Sequence, residues 1–193
     1  MKTKLLTALC AMLLIACSGS DENDGVNNPG NGGVSNTLHL SFKTPDWEEF
    51  INCEKLDLYP YPVNETTNYV SATSASTKES FYFSIPADSS AMVQPGNLKK
   101  YAITEFGQNA NPFEFSQKLP VTKGTSDYLI STAGLSDLSY NEVVAITYDG
   151  HDETDAFFKV KCRYLMQASE LSNETNVKSI SGTFHFKVRT SRN

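Results

Sequence analysis

The strongest constraint on the fold is an alternation of apolar and polar residues in the last third of the chain. Between Phe158 and Met166 every second residue is apolar, and lysine or arginine stands at positions 159, 161 and 163. A period of two places the apolar side chains on one face of a β-strand and the charged side chains on the other. Residues 141–148 precede this segment across a turn signal at Asp149 and Gly150. The pattern predicts a long hairpin with one buried face and one hydrated face.

Weaker alternation predicts further strands at about residues 38–43, 55–58, 68–73, 80–85, 101–106, 113–119, 127–131 and 180–188. Thr44 and Pro45, followed by early acids, predict one short helix at Pro45 to Ile51. Strands do not alternate with long helical segments. The sequence therefore predicts an all-β fold, an antiparallel meander that is either barrel-like or a β-sandwich, with at most one short helix.

The N-terminus has the composition of a targeting segment. Lys2 and Lys4 accompany an apolar run of 11 residues, Leu5 to Ile15. A membrane-spanning helix needs about 20 apolar residues, so residues 1–16 are predicted to be a cleaved signal peptide. The segment Leu14-Ile15-Ala16-Cys17 resembles the lipobox of bacterial lipoproteins, which implies cleavage after Ala16 and lipidation of Cys17.

Residues 17–36 are predicted to be the lipidated cysteine and a flexible tether, because asparagine, glycine and aspartate dominate the segment. Its first part, Ser18 to Asp24, resembles the acidic stretch of many Bacteroidetes lipoproteins that reach the outer face of the outer membrane. The resemblance implies a domain anchored to the outer membrane through Cys17 and exposed at the cell surface. A periplasm-facing domain is the alternative. Residues 37–193 are predicted to form a single all-β domain.

The final predicted strand carries a short motif. Residues 181–186 read Ser-Gly-Thr-Phe-His-Phe. The chain thereby resembles a group of Bacteroidetes surface lipoproteins of unknown function with a late Ser-Gly-Thr-Phe-x-Phe strand. A weaker likeness covers residues 79–85 and 143–149. The resemblance implies a lipocalin-style (calycin-like) barrel and implies no activity.

Charge and motifs bear on the function classes. The formal net charge is −6, and loss of Lys2 and Lys4 with the signal peptide leaves −8. Nucleic-acid binding relies on lysine and arginine that neutralise phosphates, so this charge argues against it. The sequence contains no Gly-x-Ser-x-Gly, no His-Glu-x-x-His and no glycine-rich phosphate loop. It therefore predicts a non-enzymatic protein without a cofactor.

Two cysteines, Cys53 and Cys162, belong to the predicted domain. In an oxidising compartment they are candidates for a disulfide that closes a loop of about 110 residues. The alternative is that they are two buried thiols that pack as small apolar side chains.

Four aromatic residues, Trp47, Tyr59, Tyr61 and Tyr69, surround a segment interrupted by prolines. Exposed aromatic rings suit stacking against sugar rings, so these four are candidate ligand-binding residues. The alternative is that they pack beneath the segment, since aromatic side chains dominate protein cores.

A polar cluster in the turn of the long hairpin is a weak candidate metal site. It consists of His151, Asp152, Glu153 and Asp155. Hard cations such as calcium prefer carboxylate oxygens, but the spacing lacks the alternating acids of a calcium loop. Exposed hairpin turns also collect acids for solvation.

Haem capture is a weaker hypothesis, because the three histidines show no paired spacing. His39 and His185 fall on the predicted polar faces of strands, where we expect solvated imidazoles.

Location and fold class together favour an outer-membrane surface lipoprotein that binds an extracellular ligand, a glycan or a glycoprotein. One alternative is a structural protein that assembles with an outer-membrane or surface partner. Another is a lipocalin-like carrier of an apolar small molecule.

Overall fold

The described part of the chain is a single antiparallel sheet. The computed structural model describes residues 33–192, and within them eleven strands belong to one sheet. The strands, β1 to β11 in chain order, cover His39–Lys43, Glu48–Asn52, Tyr61–Asn64, Thr67–Thr73, Ser80–Pro86, Lys100–Tyr101, Phe115–Pro120, Tyr128–Ser131, Tyr140–His151, Asp155–Glu170 and Asn173–Ser191. One α-helical turn, α1 (Ser89–Met92), and a 3-10 turn at Pro95–Asn97 follow β5. The predicted all-β antiparallel class is confirmed.

The predicted signal peptide, Cys17 and most of the predicted tether lie outside the described residues. In the range 33–192, no helix has the length and apolar character needed to cross a membrane.

The sheet is folded over on itself around an aromatic core. Its strand order is β2-β1-β11-β10-β8-β7-β5-β4-β3, with β9 paired to β10 and β6 paired to β9. Rings from distant strands meet inside, since the centroids of Phe81 and Phe186 are 4.6 Å apart and those of Phe83 and Phe184 are 5.0 Å apart. The two ends of the strand order, β2 and β3, are not hydrogen-bonded neighbours. The result is a barrel-like wrap with an open seam.

The predicted C-terminal hairpin is confirmed. β9 pairs with β10, β10 pairs with β11, and the apolar positions of β10 face the core. Position 182 in β11 has room only for glycine, because a Cβ there would lie 2.1 Å from the Ser41 carbonyl oxygen and 2.4 Å from the Tyr164 hydroxyl oxygen. That hydroxyl lies 3.0 Å from the Ser41 oxygen and 3.0 Å from Oε1 of Gln117.

The predicted helix at Pro45 to Ile51 is wrong. Thr44 does accept hydrogen bonds from the Asp46 and Trp47 amides, as an N-cap would. Its own amide, however, donates to the Trp47 carbonyl at 2.9 Å and closes a hairpin loop. β2 then pairs with β1, and Phe50 stacks on His39 at 4.9 Å. Cross-strand packing therefore overrides the local helix signal.

Other differences concern the strands. The strand predicted at residues 55–58 is absent, and the segment is irregular. Its apolar alternation arises because Leu58 is buried in the core, without hydrogen bonds to a neighbouring strand among residues 33–192. Of the predicted 101–106 segment only Tyr101 lies in a strand, the two-residue β6 (Lys100–Tyr101). β3 was not predicted because it contains Pro62, which an edge strand tolerates since one side of its backbone needs no ladder partner.

Cys53 and Cys162 are free, buried thiols, so the candidate disulfide is not formed and the alternative of two buried thiols holds. Cys53 follows β2, whereas Cys162 lies in β10, and both β1 and β11 separate these strands. β2 and β10 are therefore three strand spacings of about 4.8 Å apart. That distance is larger than the Cα–Cα separation of about 6 Å that a disulfide allows. Burial raises the pKa of Cys53 to about 11 and that of Cys162 well above its usual value.

Candidate ligand-binding site

Five aromatic rings form a continuous row on the outer face of the sheet. Successive ring centroids are 6.1, 5.6, 5.3 and 5.1 Å apart. The row, which we name the aromatic ladder, consists in order of Tyr59, Tyr61, Tyr69, Tyr82 and Phe106. Three of the four sequence-predicted aromatic residues thus lie together.

Strand register puts these rings on one face. Tyr61 of β3 stands directly opposite Tyr69 of β4, and Tyr82 of β5 is diagonal to Tyr69 because Tyr69 pairs with Ser84. Side chains at such positions are close enough for aromatic rings to touch. Alternation turns the intervening residues Val70 and Phe83 inward, where both are fully buried.

The ladder is accessible to a ligand at its β3 end. Tyr59 is 62% exposed and Tyr61 is 52% exposed, whereas the other three rings are partly buried. Aromatic rings are costly to leave in water unless their hydroxyls are hydrated, which tyrosine permits. The ladder therefore presents partly exposed apolar surface beside tyrosine hydroxyls, and its successive rings are inclined to each other by 68°, 28°, 48° and 79°.

The loop that carries Phe106 is held by hydrogen bonds that are buried or partly buried. The Glu114 carboxylate accepts from the Ala110 amide at 2.7 Å and the Asn111 amide at 2.9 Å. Asn109 Nδ2 donates to the Glu114 carbonyl at 2.8 Å. Gly107, at a φ of +79° that favours glycine, follows Phe106 and donates its amide to Ser116 Oγ at 3.2 Å. These bonds fix the Phe106 end of the ladder.

The β3–β4 turn is joined to the same loop. Asn64 Nδ2 donates to the Ala110 carbonyl at 3.0 Å, and Asn64 Oδ1 accepts from the Thr66 amide at 3.0 Å. Both segments that flank the tyrosines therefore have defined positions. A surface that is ordered before binding loses less entropy when a ligand arrives.

Cations lie at the two ends of the ladder. Arg189 stands 5.5 Å from the Tyr59 ring centroid and forms ion pairs with Asp57 and Asp155. Lys118 Nζ stands 5.4 Å from the Phe106 centroid and 4.9 Å from the Tyr128 centroid. Within residues 33–192, no carboxylate forms an ion pair with Lys118.

Trp47 does not join the ladder. Its ring packs edge-on against Phe42 at 4.7 Å, and its Nε1 donates to the Pro120 carbonyl at 3.0 Å. Trp47 is thus a packing residue of the β1–β2 loop, which is the alternative that the sequence left open for it.

The four residues of the predicted metal cluster make separate contacts. In residues 33–192, no group of three or more His, Cys, Asp or Glu side chains is placed to hold a metal ion. Asp152 Oδ1 instead accepts from the Thr154 and Asp155 amides at 2.9 and 2.7 Å and so builds the turn. His151 hydrogen-bonds the Tyr148 hydroxyl, Asp155 faces Arg189, and Glu153 is exposed.

The prediction of solvated imidazoles at His39 and His185 is wrong. Both side chains are buried. The Phe50 ring stacks on His39, and Thr37, which precedes β1, contacts both imidazoles. His39 Nδ1 lies 2.9 Å from the Thr37 carbonyl, and His185 Nδ1 lies 3.2 Å from the same atom. Burial lowers the pKa of both imidazoles.

Two ladder residues escaped sequence reasoning. Tyr82 occupies a polar-face position between buried Phe81 and Phe83, so a tyrosine at an outward position was the available signal. Phe106 had no such signal, because its place depends on the loop bonds of Glu114.

The ladder can stack flat rings or the C–H face of a pyranose, while its tyrosine hydroxyls exchange hydrogen bonds with ligand hydroxyls. Comparison of the chain with protein-family models, with curated proteins and with solved structures finds no match.

Proposed function

We propose that this protein is a surface lipoprotein that binds an extracellular glycan, free or on a glycoprotein, through the aromatic ladder. One observation carries the proposal: five aromatic rings with successive centroids 5.1 to 6.1 Å apart lie on the outer face of the sheet. This spacing is close to the repeat of sugar rings along an extended chain.

The surroundings of the ladder favour sugars over other stacking ligands. Nucleobases also stack on aromatic platforms, but such platforms lie in positively charged grooves. This chain is acidic overall, and Arg189 at one end of the ladder already pairs with two carboxylates. Within residues 33–192, Lys118 is the one cation beside the ladder that has no ion pair, and a single lysine does not make a positively charged groove. A ligand rich in hydroxyls and poor in charge fits better.

Affinity electrophoresis of the full-length protein in gels that contain neutral and acidic polysaccharides tests the proposal. We expect retardation by at least one polysaccharide and its loss in Tyr61→Ala. Tyr148→Ala is the matched control, because Tyr148 is 53% exposed against 52% for Tyr61 and lies outside the ladder.

Equal retardation of the wild type and Tyr61→Ala would contradict the role of the ladder. Absence of retardation by any polysaccharide would contradict glycan binding itself.

The anchoring part of the proposal rests on the Leu14-Ile15-Ala16-Cys17 segment. Replacement of Cys17 by alanine is expected to abolish incorporation of labelled fatty acid and to release the protein from membranes. Protease treatment of intact cells is expected to digest the domain. Digestion only after the outer membrane is broken would contradict surface exposure and favour the periplasm-facing alternative.

A second candidate function is a protein interface at the tip of the β10–β11 hairpin. Leu171 and Val177 are 59% and 51% exposed there. They line a groove of about 480 Å³ with Phe106 and Ile130. Replacement of both Leu171 and Val177 by serine is expected to abolish co-purification of a surface partner if this function holds. A lipocalin-like carrier has less support, because phenylalanine rings fill the space inside the wrap.

A further inference from the structure

A small cavity opens at the seam of the sheet, away from the aromatic ladder. It has a volume of about 100 Å³ and lies between the end of β2 and the end of β4. β3 pairs with β4 only at residues 67–69, so it leaves the last part of β4 uncovered. The cavity thus occupies the gap between the two free edges of the wrap.

The wall of the cavity is mostly apolar. The apolar lining residues are Leu40, Ile51, Cys53, Leu56, Ala72 and Phe81. Cys53 contributes a protonated thiol, whose Sγ lies 3.5 Å from the Ile51 carbonyl oxygen. Such a wall accepts an aliphatic chain.

Glu79 places a carboxyl group in this apolar wall. The residue is 2% exposed, and Gln117 Nε2 donates to its Oε1 at 3.3 Å. Among residues 33–192, no group donates a hydrogen bond to Oε2. Burial disfavours the ionised form of a carboxyl group that lacks a full set of hydrogen-bond donors. Burial therefore raises the pKa of Glu79 to about 7, although the hydrogen bond from Gln117 opposes this shift.

The backbone before Glu79 is strained. Lys78 has a φ of +61°, a backbone angle that residues other than glycine rarely adopt. Its amide donates to the Ser74 carbonyl, and the Ser74 amide donates to the Glu79 carbonyl. Strain of this kind persists where the surroundings determine the conformation, and it is concentrated at functional sites.

We infer that this cavity binds the primary ammonium group of a short aliphatic amine. The ammonium would donate to the Glu79 carboxylate, and this pairing compensates for the burial of both charges. The methylene groups would contact the apolar wall. A water molecule takes about 30 Å³ of liquid, so the cavity of about 100 Å³ has room for about three groups of that size, which favours a short chain.

Other ligand classes fit less well. An anion would face a carboxyl group without a compensating cation in the wall. A metal ion would find one carboxylate, and the part of the chain that the structure describes has no cluster of three metal-binding side chains.

The test is a titration of isotope-labelled full-length protein with n-propylammonium chloride at about pH 8, followed by backbone amide NMR shifts. The wild type is expected to show saturable shifts at Cys53, Ser74 and Glu79. Glu79→Gln keeps the shape of the side chain and removes its charge, so we expect at least a tenfold weaker affinity, or about 1.4 kcal/mol. Glu54→Gln is the matched control, because Glu54 is an exposed acid beside Cys53.

Two further titrations separate pairing from simple cavity filling. n-Propanol has the same chain without the charge, and tetramethylammonium has the charge without a donor. Weak or undetectable binding of both is expected. Equal affinity of Glu79→Gln and the wild type, equal binding of n-propanol, or absence of saturable shifts with n-propylammonium would each overturn the inference. Each of these results is independent of glycan binding at the ladder.

Discussion

The inner and outer faces of β4 and β5 carry aromatic residues of opposite exposure. On the inner face, Phe81 and Phe83 are buried and pack against rings of β11. On the outer face, Tyr69 and Tyr82 are partly exposed and continue a row of rings toward solvent. The same strands thus hold two aromatic clusters with different consequences. Burial of the inner cluster stabilises the fold, whereas the outer cluster leaves apolar area in water that a ligand can cover.

The largest expected effect lies in the inner cluster. Phe83 is fully buried and contacts Phe113, Phe184 and Phe186. Phe83→Ala is expected to lower the free energy of unfolding by about 4 kcal/mol, because it removes buried area and leaves a cavity. Urea unfolding followed by circular dichroism measures this change. A loss below about 1 kcal/mol would contradict the assignment of this face as the core.

The next effect tests the close approach of β1, β10 and β11. Gly182→Ala places a methyl group 2.1 Å from the Ser41 carbonyl oxygen, so the strands or the Tyr164 ring must shift. We expect a loss of about 3 kcal/mol from overpacking and from the displaced Tyr164 hydroxyl. Ser181→Ala, one residue earlier, is the control and should change stability by less than about 0.5 kcal/mol. Equal stability of Gly182→Ala and the wild type would show that the backbone is not so tightly packed there.

Glu79 is the charged exception on the inner side, and its effect depends on pH. Burial raises its pKa from 4.5 to about 7, so the folded state binds this proton more tightly than the unfolded state does. The stabilising contribution is present below about pH 4.5 and is lost as the pH rises through about 7. Cys53 and Tyr164 are the titratable neighbours, and their pKa values are raised above this window.

Glu79→Gln removes the cost of burying an ionised carboxylate in the folded state. We expect it to raise the free energy of unfolding by about 3 kcal/mol near pH 8 relative to its effect near pH 4, since one pKa unit corresponds to about 1.4 kcal/mol. Denaturant unfolding at the two pH values measures the difference. The same effect at both pH values would mean that the Glu79 carboxyl titrates normally.

The smallest stability change is expected at the outer cluster. Tyr61 is half exposed on an edge strand, and its ring contacts are with exposed Tyr59 and partly buried Tyr69. Tyr61→Ala should lower the free energy of unfolding by less than about 0.5 kcal/mol. Thermal unfolding beside the Tyr148→Ala control measures it. A loss similar to that of Phe83→Ala would remove the contrast between the two faces.

The sequence predicts the regular parts of this molecule because period-two alternation reports burial directly. It works best for β10, where every second residue from Ala156 to Ala168 is buried. It fails at residues 45–51, where a local capping signal at Thr44 serves a hairpin loop. It also fails for the environment of His39 and His185, since a polar-face position can be covered by another segment of the chain.

The candidate sites were only partly predictable for the same reason. Tyr59, Tyr61 and Tyr69 are close in the sequence, so their clustering could be expected. Trp47 is equally close in the sequence, but cross-strand contacts place it beside Pro120. The Glu79 cavity depends on where two sheet edges fail to meet, and no local pattern encodes that.

The most direct test of the central claim is the affinity of Tyr61→Ala/Tyr69→Ala for the polysaccharide that retards the wild type, measured by calorimetric titration together with the free energy of unfolding. Stacking on an aromatic side chain contributes about 1 to 3 kcal/mol per ring for nucleobases, so loss of two rings should weaken binding by about 30-fold or more. The account predicts that weakening with a stability loss below about 1 kcal/mol. Unchanged affinity, or weakened affinity only because the domain has unfolded, would contradict it.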